Sequence, residues 1–143
     1  GGMPVGAYDG REDIMNVVSP LGHIYQAGTR SGNPVAMAAD IETIHRRRQS
    51  NAHEQVEKNT ALLADGLNDV FAEAETPLTI NRVGSMMTLF FNPGPVNSWE
   101  SAAKSDRKAF TRFFHNILDE GVYLPPWPYE ALFVSLAHTK ADI

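Results

Sequence analysis

The feature that most constrains the fold is a stripe of large apolar side chains near the end of the chain. Between about Asp106 and Glu120 these side chains recur at the spacing of one helix face: Phe110, Phe113, Phe114, Ile117 and Leu118. Such a helix must bury its stripe against other elements, so the chain has to supply a sheet or further helices to receive it. We expect Ser105 to be the N-cap of this helix and Gly121 to end it in the left-handed conformation.

Three other segments have the pattern of helices. Residues 11–18 predict a short helix, and its candidates for burial are Ile14, Met15, Val17 and Val18. Longer helices are expected from about Pro34 to Arg48 and from about His53 to Glu73. The last of these has five apolar residues on one face: Val56, Leu63, Leu67, Val70 and Phe71.

Short apolar runs between these helices predict strands. They are residues 1–10, Leu78–Ile80, Met86–Phe91, Val122–Leu124 and Leu132–Leu136. A turn around Gly84 separates the second run from the third, and Trp99, in the loop that follows, is a candidate for packing against the sheet. The fold class is therefore α/β or α+β, with a short antiparallel sheet covered by helices.

The composition narrows the class of protein. With 143 residues, of which 43% are hydrophobic and 20% charged, the chain has the size and character of one ordinary globular domain. A net charge of −5 does not favour a nucleic-acid partner, and the basic run Arg46–Arg48 suits the C-terminal end of a helix. There is no membrane-length apolar run, no recognisable signal peptide and no cysteine, so we expect a cytoplasmic protein without a membrane partner.

No metal site is expected from the spacing of the histidines and carboxylates. His45 and His53 do not have the i, i+4 spacing of a helical metal pair. Asp119 and Glu120 are adjacent on a helix and point in different directions, which argues against a working pair of carboxylates.

The loop Tyr25–Pro34 is the strongest candidate for a binding site. It ends with the signature of a helix start, because Asn33 can cap the first turn and Pro34 suits the first helical position. Gly28 and its small neighbours leave backbone N–H groups uncovered, and Thr29 adds a hydroxyl, a combination suited to binding an anion. A well-capped connecting loop explains the same residues.

Four ordered blocks of the sequence resemble one enzyme family. The loop reads Tyr-Gln-Ala-Gly-Thr-Arg-Ser-Gly-Asn-Pro and resembles a segment of the glutamate-1-semialdehyde 2,1-aminomutases, a branch of the pyridoxal-phosphate-dependent class-III aminotransferases. The other blocks follow in the family's order, and they are Gly1–Tyr8, Asn81–Met86, and Phe113–His115 with Leu118–Leu124. The match continues through Ser135–Thr139 to Ile143. The sequence departs from the family pattern at Asp9, Arg30, Asp40, Pro125, Trp127 and Leu132.

The resemblance implies the C-terminal part of a fold-type I pyridoxal-phosphate transferase. Residues 1–48 would be the end of the large, cofactor-binding domain, and residues 49–143 the small C-terminal domain, truncated before its last helix. The lysine that forms the Schiff base with pyridoxal phosphate would lie shortly before Gly1, outside the chain. We therefore expect no catalytic residue within the chain and no activity from the chain alone.

The resemblance also implies roles for four residues. Gly28 and Thr29 match positions that hold the cofactor phosphate across a dimer interface. Tyr25 matches a tyrosine of the same inter-subunit active site. Glu130 matches a glutamate beside the substrate, where a carboxylate would repel a dicarboxylic substrate such as glutamate. Without the resemblance, Tyr25 would be a half-buried interface aromatic and Glu130 an exposed loop acid.

The implied reaction converts glutamate-1-semialdehyde to 5-aminolevulinate, the precursor of tetrapyrroles, with pyridoxal 5′-phosphate as cofactor. The implied partners are this small-molecule substrate and a second copy of the chain. Two alternatives stay open: a class-III aminotransferase with a different amine substrate, and a non-catalytic α/β module that self-associates.

Overall fold

The computed structural model describes residues 3–49 and 51–143. The chain divides into two compact units, Gly1–Ser50 and Asn51–Ile143. This division lies close to the domain boundary expected after residue 48. The assignment of the two units to the large and small domains of an aminotransferase stays a prediction.

In its described residues, the first unit contains two helices, α1 (Glu12–Met15) and α2 (Pro34–Gln49). The α2 prediction is confirmed, whereas α1 is shorter than the helix predicted for residues 11–18 and has no buried residue. The strand predicted for residues 1–10 is wrong for residues 3–10, and Gly1 and Gly2 lie outside the described residues. The physical reason is the lack of a partner, because the only bridge in the described part of this unit joins Val18 to Ile24.

The second unit is built on a short antiparallel sheet, as the sequence predicted, and the sheet has three strands. Its strands are β1 (Thr79–Val83), β2 (Met86–Phe90) and β3 (Leu132–Phe133), in the order β1-β2-β3. Gly84 makes the β1–β2 turn with a φ of 57°, a left-handed value that glycine adopts without steric cost. The sheet is therefore a tight hairpin with one short strand added beside β2.

Three helices accompany this sheet: α3 (Ala52–Glu73), α4 (Trp99–Ala102) and α5 (Arg107–Asp119). The N-cap of α5 is Asp106 rather than Ser105, because the Asp106 carboxylate accepts hydrogen bonds from the Lys108 and Ala109 N–H groups. The predicted stop at Gly121 is confirmed, with a φ of 89°.

The core of the second unit contains two main clusters. Ala64 of α3 packs with Met87 of β2, which is completely buried. Phe91, just after β2, packs against Phe71 of α3 and Phe110 of α5, with ring centroids 5.4 and 6.1 Å apart. The apolar stripe of α5 thus faces α3 and the end of β2. The prediction that other elements would bury this stripe is confirmed.

Several expectations for this unit are wrong. Val70 was placed on the buried face of α3 but is 60% exposed, because it lies to one side of the face that carries the buried Thr60, Ala64 and Phe71. Residues 122–124 form no strand, and the strand predicted for Leu132–Leu136 is only the two-residue β3. Trp99 does not pack on the sheet: it begins α4 and is 65% exposed.

Candidate cofactor and substrate site

The loop Tyr25–Pro34 joins α2 through a side-chain cap. The Asn33 Oδ1 atom accepts hydrogen bonds from the N–H groups of Val35, at 3.1 Å, and Ala36, at 3.2 Å. The Asn33 carbonyl then accepts the first helical bond from Met37 at 2.9 Å. The sequence prediction of Asn33 as the N-cap is therefore confirmed, and these donors of the first turn are already used.

Two tight turns shape the loop ahead of this cap. The Ser31 N–H donates to the Gly28 carbonyl at 2.9 Å, and the Asn33 N–H donates to the Arg30 carbonyl at 3.1 Å. Gly32 has a φ of 71°, which places it in the left-handed region. A Cβ atom at Gly28 would lie 2.8 Å from the Ser31 Oγ atom, so any side chain there would require the serine to move.

The donors left over in this loop fit a phosphate group. Gly28 and Thr29 are both exposed. Within residues 3–49 and 51–143, the structure gives no partner to the Thr29 hydroxyl or to the N–H groups of Gly28 and Thr29. A hydroxyl and two backbone N–H groups on a loop fixed by turns are preorganised donors for an anion. The residues present therefore fit the phosphate of pyridoxal phosphate.

Two other side chains of the first unit flank these donors along the chain. Tyr25 is 82% exposed, so most of its ring is open to another surface. Arg30 lines a cavity of about 260 Å³ together with Asn33 and Ala36. Arg30 departs from the family pattern, and the turn that its carbonyl closes with the Asn33 N–H lies beside this cavity.

Glu130 lies in the second unit, in a turn that precedes β3. Its N–H donates to the Trp127 carbonyl at 3.1 Å, and its side chain is exposed while the neighbouring Pro128 is buried. Tyr129 lies between two tryptophans, with ring centroids 5.1 Å from Trp99 and 6.0 Å from Trp127. Tyr129 was not singled out from the sequence, because its partner Trp99 lies far from it along the chain.

The second unit also contains an apolar cavity of about 910 Å³. Residues from α3, α5 and the sheet line it, among them Leu67, Phe113 and Met87. In the part of the chain that the structure describes, no group of three or more His, Asp or Glu side chains is placed to hold a metal ion. None of the described helices is long and apolar enough to span a membrane.

Comparison with known proteins identifies the family. The family model described as aminotransferase class-III matches residues 1–139. This chain belongs to the class-III aminotransferases. The family depends on pyridoxal phosphate, and the resemblance seen in the sequence is confirmed.

Individual relatives of this class-III chain agree with that assignment. It is 50% identical over 143 residues to the glutamate-1-semialdehyde 2,1-aminomutase of Natranaerobius thermophilus, and covers 33% of that protein. It is 47% identical to the enzyme of the same name from Thermus thermophilus, and covers 34% of it. The chain thus spans about a third of the length of the curated relatives that it matches.

A solved structure supports the fold of this class-III segment. The β-phenylalanine aminotransferase of Variovorax paradoxus superposes with a TM-score of 0.72 at 28% identity. The likeness covers 93% of this chain and 31% of that one. The mixed α/β segment with its short antiparallel sheet therefore corresponds to part of a class-III aminotransferase.

Proposed function

We propose that this chain is part of a pyridoxal-phosphate-dependent aminomutase that converts glutamate-1-semialdehyde to 5-aminolevulinate. The observation that carries the proposal is the identity of about half the residues, over the whole chain, to enzymes of that name. Because the chain spans a third of their length, the proposal concerns a protein of their full length. A cytoplasmic location stays a prediction.

The proposed role of the first unit is to hold the cofactor phosphate. The N–H groups of Gly28 and Thr29 and the Thr29 hydroxyl would donate to the phosphate oxygens, and the Ser31 and Asn33 turns would keep these donors in place. When bound, pyridoxal phosphate supplies the electron sink for moving the amino group between neighbouring carbons. The exposed Tyr25 would lie against a second copy of the chain, so the proposed assembly is a homodimer.

The proposed role of the second unit includes selection of the substrate. Glu130 presents an exposed carboxylate, which would repel the second carboxylate of a dicarboxylic amino donor. Glutamate-1-semialdehyde carries an aldehyde in place of one carboxylate, so it avoids part of this repulsion. Glu130 would thus favour the semialdehyde without taking part in the chemistry.

A chimeric enzyme tests the phosphate assignment. This chain replaces the matching segment of the Natranaerobius relative, and Thr29→Val is compared with Thr29→Ser, which keeps the hydroxyl. Loss of one charge-assisted hydrogen bond should weaken cofactor binding by about 10-fold or more in Thr29→Val. Thr29→Ser should stay close to the unsubstituted chimera. The measurement is cofactor affinity from absorbance titration, and equal affinities in both variants would refute the assignment.

A second candidate is a class-III aminotransferase that acts on a different amine. The observation that supports this second candidate is the structural likeness to a β-phenylalanine aminotransferase. An assay of the full-length parent protein on the semialdehyde and on ordinary amino donors separates the two functions. Production of 5-aminolevulinate from the semialdehyde supports the aminomutase, whereas transfer from ordinary amino donors without that product supports the alternative. Light scattering on the chimera tests the dimer.

A further inference from the structure

Four side chains of the second unit form what we call the aromatic cluster: Trp99, Arg107, Trp127 and Tyr129. The Tyr129 ring meets both tryptophans edge-to-face, at interplanar angles of 69° to Trp99 and 76° to Trp127. The Arg107 guanidinium carbon lies 5.0 Å from the centroid of the Trp127 ring, within the range of a cation–π contact. The cluster therefore ties α4 and the start of α5 to the segment before β3.

Tyr129 also connects this cluster to the interior. Its half-buried ring packs against a small group of buried residues, Phe90, Val96 and Ala102, which is separate from the two main core clusters. The ring is thus held from the inside by aliphatic and aromatic packing and from the outside by two tryptophans. Edge-to-face pairs have a preferred geometry, so together they restrict the orientation of Tyr129.

Glu130 follows Tyr129 directly and is restrained from both sides. On one side its N–H donates to the Trp127 carbonyl, which closes a turn. On the other side Leu132 pairs with Met87 in the sheet. Its carboxylate nevertheless stays exposed, so the backbone is fixed while the charge faces outward.

We propose that Tyr129 is a positioning residue for Glu130, and that the aromatic cluster fixes the place from which the Glu130 carboxylate repels a dicarboxylic substrate. This inference rests on the proposed function of Glu130. Repulsion between like charges weakens with distance, so a carboxylate whose backbone can move away from the substrate discriminates less. The packed rings hold the backbone of Glu130 in place, and so limit the positions that its exposed carboxylate can reach.

The test compares three variants of the chimeric enzyme: Tyr129→Leu, which removes the ring, Tyr129→Phe, which keeps it, and Glu130→Gln, which removes the charge. The first measurement is hydrogen exchange of the Glu130 amide, which is independent of activity. With two ring pairs lost, exchange should become about 10-fold faster in Tyr129→Leu and stay nearly unchanged in Tyr129→Phe.

The second measurement is discrimination, the ratio of kcat/KM for the semialdehyde to that for a dicarboxylic amino donor. We expect Glu130→Gln to lower this ratio by about 10-fold and Tyr129→Leu by about 3-fold, through KM for the dicarboxylate and not through kcat for the semialdehyde. Tyr129→Phe, which keeps the ring, should leave the ratio close to that of the unsubstituted chimera. That combination of results would support the inference.

Other outcomes would overturn it. Unchanged exchange at Glu130 in Tyr129→Leu would show that the ring does not hold the turn, whatever the activity. Faster exchange with unchanged discrimination would show a structural role only. If Glu130→Gln itself leaves discrimination unchanged, the proposed role of Glu130 is wrong, and the inference is wrong with it.

Loss of folding in Tyr129→Leu is recognised separately. Exchange at Ala64, in the core on α3, would then rise together with exchange at Glu130. In that case Trp99→Leu takes its place, because Trp99 is 65% exposed and its replacement removes one ring contact while sparing the buried group. Trp99→Leu should then show faster exchange at the Glu130 amide and lower discrimination, each by less than Tyr129→Leu would. The absence of either effect would overturn the inference.

Discussion

Replacement of Phe91 by leucine tests the packing that holds the second unit together. Phe91 is 6% exposed and lies at the centre of a group of phenylalanine rings. Its ring centroid is 5.4 Å from that of Phe71, 6.1 Å from that of Phe110 and 5.5 Å from that of Phe113. No other ring in this group has three phenylalanine neighbours from both α3 and α5. Phe91 is therefore where the two helices meet the end of β2.

The magnitude of the effect follows from these contacts. Each aromatic pair contributes about 0.5–1.5 kcal/mol beyond the area that it buries. Leucine at position 91 retains much of the apolar burial but none of the three pairs, so Phe91→Leu should lower the free energy of unfolding by about 2–3 kcal/mol. With a urea m-value of about 1.5 kcal/mol/M, the midpoint should fall by about 1.5–2 M.

Tryptophan fluorescence during urea unfolding is a suitable assay. Both tryptophans of the chain, Trp99 and Trp127, lie in the second unit, so their emission reports the unfolding of this unit. The matched control is Phe133→Leu, because Phe133 is 63% exposed and should change the free energy of unfolding by less than about 0.5 kcal/mol. An effect of Phe91→Leu no larger than that of the control would refute the packing argument.

Two further predictions concern the ends of α5 and use the same assay. The Ala109 N–H, with help from that of Lys108, lowers the pKa of the Asp106 carboxyl below its usual range. The ionised Asp106 carboxylate therefore adds stability above pH ~4, and this stability is lost as the pH falls through the lower pKa of the folded state. The Asp106→Asn variant has no such group to protonate, so between pH ~6 and ~3 its urea midpoint should fall less than that of the parent. At Gly121, whose φ is 89°, Gly121→Ala should lower the free energy of unfolding by about 1–2 kcal/mol, because a Cβ atom strains the left-handed conformation.

Each of these two predictions has its own contradicting result. Parallel pH profiles of the parent and Asp106→Asn would show that Asp106 is not the titrating group. Gly66 provides the control for Gly121, because it lies inside α3 with open space around its Cβ position, so Gly66→Ala should stabilise the helix. If Gly121→Ala were as well tolerated as Gly66→Ala, the left-handed conformation of Gly121 would be contradicted.

The candidate site was predictable where it depends on neighbouring residues. The cap by Asn33 and the exposed donors of Thr29 follow from side chains a few positions apart, and a local segment is enough to specify them. The role proposed for Tyr129 could not be predicted in this way. Its partner Trp99 lies 30 positions earlier in the sequence, and only the fold brings the two rings together.

The sequence by itself determined the long helices α2, α3 and α5, the hairpin at Gly84 and the family. Helical periodicity and turn residues act over a few positions, and family blocks are read directly from the residue order. The tertiary structure alone decided which apolar residues are buried, so Val70 and Trp99 are exposed although their local patterns suggested burial. It also decided that residues 122–124 form no strand, because a strand requires a neighbour to accept its hydrogen bonds and no local pattern supplies one.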